Sequence, residues 1–172
     1  AVVLIMHGME FNNGNQVARD CAIGVLEALG PQDEMGVLLW DGFERWVFPL
    51  AKVGDKRSMR TAIAGMNQGD MPGFEGVMQK AHAALKASKA SLKHVIVFSD
   101  GDPAPPPPER MAAMVADRIT VSTVLISGHA GPEIMMQIAD QGRGRVDDVQ
   151  SPAQVPQIFI KEAAVVLKSA IY

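Results

Sequence analysis

The fold is decided by the stretch Leu92–Pro103, which reads LKHVIVFSDGDP. Its centre, His94–Ser99, is a short run dominated by β-branched and aromatic residues, and such a run is typical of a buried strand. The run stops at Asp100-Gly101-Asp102, because Asp and Gly favour turns over strands. A buried strand that ends in a polar turn is what an α/β domain needs at the edge of its sheet.

A second buried strand opens the chain. Val2–Met6 is apolar at every position, as expected for a strand covered on both faces. Asn12–Asn15 supplies turn and N-cap residues, and the spacing of apolar residues in Gln16–Leu29 predicts a helix. Gly30-Pro31 then ends that helix.

The rest of the chain alternates in the same way. Met35–Trp40 and Glu44–Phe48 are predicted strands joined through Asp41-Gly42, whose tolerance of positive φ predicts an antiparallel hairpin. The remaining predicted helices are Lys56–Gly65, Glu75–Ser88, Glu109–Asp117, Pro132–Gln141 and Val155–Ser169, and the remaining predicted strands are Thr120–Ile126 and Arg145–Val149.

This order of elements predicts one doubly wound α/β domain over residues 1–172. Right-handed crossovers give a mostly parallel six-stranded sheet in the order 3-2-1-4-5-6, with one antiparallel edge strand and helices on both faces. Strands one and four then lie side by side in the middle of the sheet. Ligands of such sheets bind at the carboxyl ends of the strands, which here are His7–Phe11 and Ser99–Asp102, with the Gly69–Gly73 loop reaching the same edge.

Composition excludes several classes of protein. The 172 residues carry 16 Lys and Arg against 19 Asp and Glu, a net charge of −3, which argues against nucleic-acid and anionic-membrane partners. The single cysteine, Cys21, excludes an intrachain disulfide and a cysteine-based zinc site. No apolar run approaches the ~20 residues that cross a bilayer, so we expect no membrane insertion by this domain. The chain starts at Ala1 and is expected to be a piece excised from a longer protein.

Four stretches resemble von Willebrand factor type A domains of bacterial membrane-associated proteins. They are AVVLIMHGMEF (1–11), EALGPQDEMGVLLWDGFERWVFPL (27–50), LKHVIVFSDGDP (92–103) and VPQIFIKEAAVV (155–166). The resemblance implies a Rossmann-like fold and a metal-ion-dependent adhesion site. In that family the first strand ends in Asp-x-Ser-x-Ser, a later loop supplies Thr, and a further strand ends in Asp-Gly. Together they hold Mg²⁺ or a similar ion, which completes its coordination with a carboxylate of the partner.

This sequence departs from that pattern at nearly every ligand. His7 stands where the family has the first Asp, Met9 and Phe11 replace the two Ser, and Met71 falls at the Thr position. Only Asp100 matches. Mg²⁺ requires about six hard oxygen ligands, and one carboxylate is too little to hold it. We therefore expect a degenerate, metal-free site and no cofactor.

The function expected is a non-catalytic protein–protein interaction module of a membrane-anchored bacterial protein. Its partner would be another protein or other domains of the parent chain, and its contacts would be Met9, Glu10, Phe11, Met71 and Asp102. One alternative is a purely structural domain that only packs within the parent chain. A second is a metal-dependent enzyme that uses Asp100 and Asp102, because Asp-x-Asp after a strand also occurs in metal–nucleotide sites. An interaction site predicts an exposed apolar patch at the strand ends, and an enzyme predicts a deep polar pocket.

Two hypotheses concern His7. In the first, its imidazole forms a hydrogen bond with the Asp100 carboxylate in place of the missing ion; the alternative is that each side chain faces water. In the second, His7, Met9 and Met71 form a soft-ligand set for Cu(I); the alternative is that the thioethers fill the space of the ion and its waters.

The remaining reactive side chains favour structural roles. Cys21 lies on the inner face of its helix and is expected to be a buried thiol. His82, His94 and His129 lie on separate elements without metal-ligand spacing and are expected at the surface or at helix ends.

The aromatic and proline residues also favour structural roles. Trp40 and Trp46 are expected to pack within the hairpin, with an exposed indole for a partner as the alternative. Pro105–Pro108 is expected to be a rigid spacer, with a polyproline ligand as the alternative.

Overall fold

One mixed sheet with helices on both faces organises the chain in the computed structural model, which describes residues 1–7, 14–67, 69, 71–99, 103–126, 132–149 and 154–169. The strands are β1 (Val2–Met6), β2 (Glu34–Trp40), β3 (Glu44–Lys52), β4 (Lys93–Ser99), β5 (Ile119–Ile126) and β6 (Arg143–Val149). The helices are α1 (Gly14–Ala28), α2 (Lys56–Ala64), α3 (Glu75–Ala87), α4 (Pro108–Ala116), α5 (Pro132–Gln141) and α6 (Val155–Ser169).

The strand order is β3-β2-β1-β4-β5-β6, which confirms the predicted doubly wound sheet. β1 pairs in parallel with β2 and with β4, while β2 and β3 form the antiparallel pair at the edge. Gly42, in the hairpin turn, has a φ of 114°, as the prediction of a positive φ requires.

Two strands extend two or more residues beyond their predicted bounds. β3 continues to Lys52 beyond the predicted end at Phe48, because β3 lies at the sheet edge, where the missing amide of Pro49 costs no pairing, and register shifts along β2 absorb the mismatch. β6 begins at Arg143 instead of Arg145. Arg143 has a φ of 56°, a conformation that apolar periodicity does not signal.

The core has two layers because side chains alternate along the buried strands. In β1, Val2, Leu4 and Met6 pack with α1, α2 and α6, whereas Val3 and Ile5 pack with α3, α4 and α5. The largest buried side chains on the two faces include Phe98 and Phe159 on the first and Phe74 on the second. The rings of Phe98 and Phe159 meet edge to face with centroids 5.7 Å apart, which fixes α6 on the sheet.

The expectation that the hairpin tryptophans pack within the fold is confirmed. Trp40 and Trp46 are partly buried and pack against the core layer of α3–α5. The proline segment is anchored at Ala104, whose carbonyl accepts from the Phe74 amide at 2.9 Å and whose amide donates to the Pro72 carbonyl at 3.0 Å. The spacer role of Pro105–Pro108 stays a prediction. Of the described residues, none belongs to a helix long and apolar enough to cross a membrane.

Candidate functional site

The candidate site lies where the carboxyl ends of β1 and β4 meet. These strands are neighbours, with Met6 opposite Phe98, and the direction of chain winding reverses between them. An open α/β sheet leaves a crevice at such a point. His7 follows β1 directly, and Ser99 is the last residue of β4, so the two lie side by side at the floor of this crevice.

His7 is held from two directions. Its backbone amide donates to the Phe98 carbonyl at 3.0 Å, and its Nδ1 lies 2.9 Å from the Ser99 Oγ. One of these two side-chain atoms donates and the other accepts, depending on the imidazole tautomer. Only 1% of His7 is exposed and Ser99 is fully buried, so the alternative in which His7 faces water is wrong.

Ser99 is a site residue that the sequence reasoning missed. A signal for it existed in the register: when two parallel neighbours align Met6 with Phe98, the next residues, His7 and Ser99, also lie opposite one another. The sequence argument instead paired His7 with the carboxylate one position later.

Met71 is buried, with 2% of its surface exposed, within the core layer that also holds Phe74. The expectation that Met71 contacts a partner is therefore wrong. Its loop is fixed at both sides, because the Gly69 amide donates to the Trp40 carbonyl at 2.5 Å and the Phe74 amide donates to the Ala104 carbonyl. Since Trp40 ends β2, the loop does reach the carboxyl edge of the sheet, as predicted.

Arg19 ties α1 to the start of this loop. Its Nε donates to the Met66 carbonyl at 3.0 Å, and its Nη2 donates to the Asn67 Oδ1 at 2.8 Å. Arg19 belongs to no sequence motif, so the sequence did not indicate this role. The role follows from the packing of α1 beside the loop.

The other predicted site residues lie outside the described residues. These are Met9, Glu10, Phe11, Asp100 and Asp102. The hydrogen bond between His7 and Asp100 and the soft-ligand set therefore stay predictions. Within the described ranges, no group of three or more His, Cys, Asp or Glu side chains is placed to hold a metal ion.

A second polar cluster lies between the sheet and α6. His94 is 2% exposed, and its Nδ1 lies 2.6 Å from the Thr120 Oγ1, while its Nε2 lies 3.3 Å from a Glu162 carboxylate oxygen. Arg145 donates to the other oxygen of Glu162 at 2.7 Å. The expectation that His94 lies at the surface or a helix end is wrong, because Thr120 and Glu162 provide hydrogen-bond partners for both of its ring nitrogens inside the fold.

The pKa of Glu162 reflects this surrounding. Burial alone raises the pKa, but hydrogen bonds from His94 and Ser122 and the charges of His94 and Arg145 outweigh burial and lower the pKa to about 2. The carboxylate is therefore charged at neutral pH although only 3% of the residue is exposed.

A third cluster surrounds His82, which is 8% exposed and is likewise not the surface residue expected. Arg110 Nη1 donates to the His82 Nδ1 at 3.0 Å, and the His82 Nε2 lies 2.6 Å from Asp117. Because a guanidinium only donates, Nδ1 accepts, and the proton on Nε2 is donated to the carboxylate. This hydrogen bond holds the pKa of Asp117 below its usual value.

Cys21 is buried, as predicted, and burial raises the pKa of its thiol. A thiol that stays protonated is a poor nucleophile and a poor metal ligand. Its role in this fold is packing.

A mostly parallel sheet with this strand order and a crevice at its switch point defines the class of protein. The chain belongs to the von Willebrand factor type A domain family, whose model matches residues 8–161. A comparison with curated proteins gives no match.

Three solved structures show the same fold. A von Willebrand factor type A protein from Catenulispora acidiphila has a TM-score of 0.80 at 17% identity, with 95% of this chain and 41% of that chain covered. BatB from Bacteroides thetaiotaomicron, a conserved hypothetical protein, has a TM-score of 0.74 at 15% identity, with 97% of both chains covered. An aerotolerance-related membrane protein from Bacteroides fragilis, with multiple mutations to serine, has a TM-score of 0.70 at 13% identity, with 95% of this chain and 97% of that chain covered. At these identities the likeness establishes the fold alone.

Proposed function

We propose that this von Willebrand factor type A domain is a non-catalytic protein-interaction module that binds its partner without a metal ion. The binding surface is the crevice at the ends of β1 and β4, with Met9, Glu10, Phe11 and Asp102 as contacts. The partner is another protein or another domain of the same parent protein. The likeness to a membrane protein from B. fragilis supports a membrane-anchored bacterial parent.

The observation that carries this proposal is the hydrogen bond between His7 and Ser99. His7 occupies the position at which the family pattern has its first carboxylate ligand. A buried imidazole supplies a nitrogen and no anionic oxygen, whereas Mg²⁺ binds hard oxygen ligands and keeps several waters. The buried thioether of Met71 stands at the family's Thr position and gives no hard ligand either.

Isothermal titration calorimetry with Mg²⁺ and with Mn²⁺ tests the metal-free part of the proposal. We expect no binding at sub-millimolar concentration. Binding in that range that disappears in Asp100→Ala would overturn a metal-free site. It would also favour the alternative function, a metal-dependent enzyme that uses Asp100 and Asp102.

Site-specific photo-crosslinking tests the interaction itself. A photoreactive amino acid replaces Glu10, which follows β1 in the sequence, and, as a matched control, Lys80 on the exposed side of α3. In extracts of the source cells, we expect a discrete adduct from position 10 that resists EDTA and is absent from position 80. An adduct that needs a divalent ion contradicts the ion-free mode, and no adduct at position 10 favours a purely structural domain.

A further inference from the structure

A groove runs along the outer edge of the sheet, two strands away from the β4 end of the crevice in the proposed function. We call it the β6 groove. It has a volume of about 410 Å³ and is lined by Leu125, Pro132, Met136, Ala139, Asp140, Gly144, Val146 and Asp148. α5 forms one wall, β6 forms the other, and Leu125 of β5 contributes from between them.

β6 ends the sheet, and in the described part of the chain it pairs with β5 alone. An edge strand presents backbone amides and carbonyls that a further strand can pair with. Both edges have irregular pairing, since register shifts occur between β3 and β2 and, near Gly144, between β6 and β5. The edges differ in that β3 carries Pro49, whereas β6 contains no proline and pairs in regular register from Val146 onward. Of the two edges, β6 is therefore the better one for the addition of a further strand.

The side chains of β6 alternate between two surroundings. Arg145 points to the α6 side, where it binds Glu162, and Gly144, Val146 and Asp148 line the groove on the α5 side. Gly144 packs closely against the backbone of β5 at one end of the groove, and Val146 supplies an apolar centre. Met136 of α5, 57% exposed, faces the same groove and is one of the two most exposed large apolar side chains of the described residues.

The groove carries a carboxylate at each end. α5 runs antiparallel to β6, so Asp140 near the end of α5 lies at the Gly144 end of the groove, and Asp148 lies at the Pro132 end. Neither carboxylate has a hydrogen bond or ion pair with any described residue. From Gly144 to Asp148 is about 13 Å along a strand at ~3.3 Å per residue.

We propose that the β6 groove binds an extended segment of a partner protein with the pattern basic–x–apolar–x–basic, which adds to β6 as a further strand. In an extended segment, residues i, i+2 and i+4 share one face and span about 13 Å. The two basic side chains then pair with Asp140 and Asp148, and the apolar side chain between them contacts Met136 and Val146. Strand addition of this kind takes affinity from the backbone and specificity from alternate side chains.

A second copy of this chain is a poorer occupant. If two β6 strands paired antiparallel about Val146, Asp148 of one copy would lie opposite Gly144 of the other. That placement brings Asp148 of one copy beside Asp140 of the other, and like charges at close range disfavour the contact. The charge of the groove therefore selects a basic segment of a different protein.

Fluorescence anisotropy with labelled peptides tests the proposal. The probe is Thr-Lys-Thr-Val-Thr-Lys-Thr, and the controls are Thr-Glu-Thr-Val-Thr-Glu-Thr and Thr-Lys-Thr-Ser-Thr-Lys-Thr. We expect the probe to bind with a dissociation constant below about 1 mM, and both controls to bind at least about tenfold more weakly. Hydrogen exchange should slow at residues 143–149 when the probe is bound.

Protein variants separate this surface from a general charge effect. The double variant Asp140→Asn/Asp148→Asn should weaken binding of the probe about tenfold. Adding Met136→Ser to the double variant should weaken binding further. Glu133→Gln, an exposed carboxylate of α5 outside the groove lining, should leave binding unchanged. Equal binding of both charge types of peptide, or equal binding by the double variant, would overturn the proposal.

Analytical ultracentrifugation of the chain alone tests whether a second copy of the chain occupies the groove. A concentration-dependent dimer that is abolished by Val146→Lys would overturn the choice of a different partner and assign the edge to a second copy. None of these measurements involves His7, Glu10 or Asp100, so failure here leaves the function proposed for the crevice standing.

Discussion

The buried carboxylate of Glu162 should contribute a large share of the folding free energy at neutral pH. Its pKa falls from an ordinary 4.5 to about 2 in the folded chain. At about 1.4 kcal/mol per pH unit, that fall corresponds to about 3 kcal/mol of stability. Because the folded pKa is depressed, this stabilisation is complete above pH 4.5 and is lost as the pH falls towards 2.

The perturbation is Glu162→Gln, which keeps the shape of the side chain and removes its charge. At pH 7 this substitution removes the anion that Arg145 and His94 contact. We therefore expect a loss of about 3 kcal/mol in the free energy of unfolding. Near pH 2 about half of the wild-type carboxyl is protonated in the folded chain, and most of its stabilisation is lost, so the two proteins should differ by less than about 1 kcal/mol.

Urea denaturation from pH 7 down to pH 2 measures this difference. Glu133→Gln on α5 is the matched control, because its carboxyl is exposed, and it should change stability little at any pH. Arg145→Gln removes one partner of Glu162 and should give a smaller loss with the same pH dependence. A loss in Glu162→Gln that stays constant from pH 7 to pH 2 would refute the reasoning, since it would come from packing and not from charge.

Two further predictions concern other sites. Gly144→Ala should destabilise the fold by about 2 kcal/mol or more in thermal unfolding, because its Cβ would overlap the Val121 carbonyl oxygen. Gly54→Ala is the control that should change little, because its Cβ would have no neighbour within contact distance. An equal effect of the two changes would contradict the reasoning. His82→Ala should raise the pKa of Asp117 towards its ordinary value, since the hydrogen bond from His82 is the largest cause of its depression. NMR titration of the Asp117 carboxyl measures this, and an unchanged pKa would show that Lys86 or another charge is responsible.

The elements of this fold could be predicted because local patterns agree with the tertiary structure. Apolar runs such as Val2–Met6 lie on strands covered from both sides, and Asp41-Gly42 lies in the hairpin turn that its residue types favour. The bounds of the edge strands could not be predicted as well. An edge strand has one neighbour, so it tolerates irregular pairing, as opposite Met35, and a positive φ, as at Arg143. Neither feature changes the spacing of apolar residues in the sequence.

The site was harder to predict because burial of polar residues depends on partners that are distant in sequence. His94 is buried by Glu162, which lies 68 positions later, and His82 is buried by Arg110 and Asp117 on and beside α4. A lone histidine in a sequence carries no sign of either partner. The neighbour of His7 was predictable in principle from strand register, whereas the burial of Met71 depends on how its whole loop folds.

The bridge from His94 to Glu162 also bears on the order in which the molecule can form during synthesis. β4 leaves the ribosome well before α6, so the imidazole of His94 lacks Glu162 and the ring of Phe98 lacks Phe159 until α6 has emerged. Until then the part of the sheet that α6 covers is open to solvent and to chaperones. The nascent domain therefore reaches its native state late, and a stalled or truncated translation product lacking the last helix should be a substrate for proteolysis.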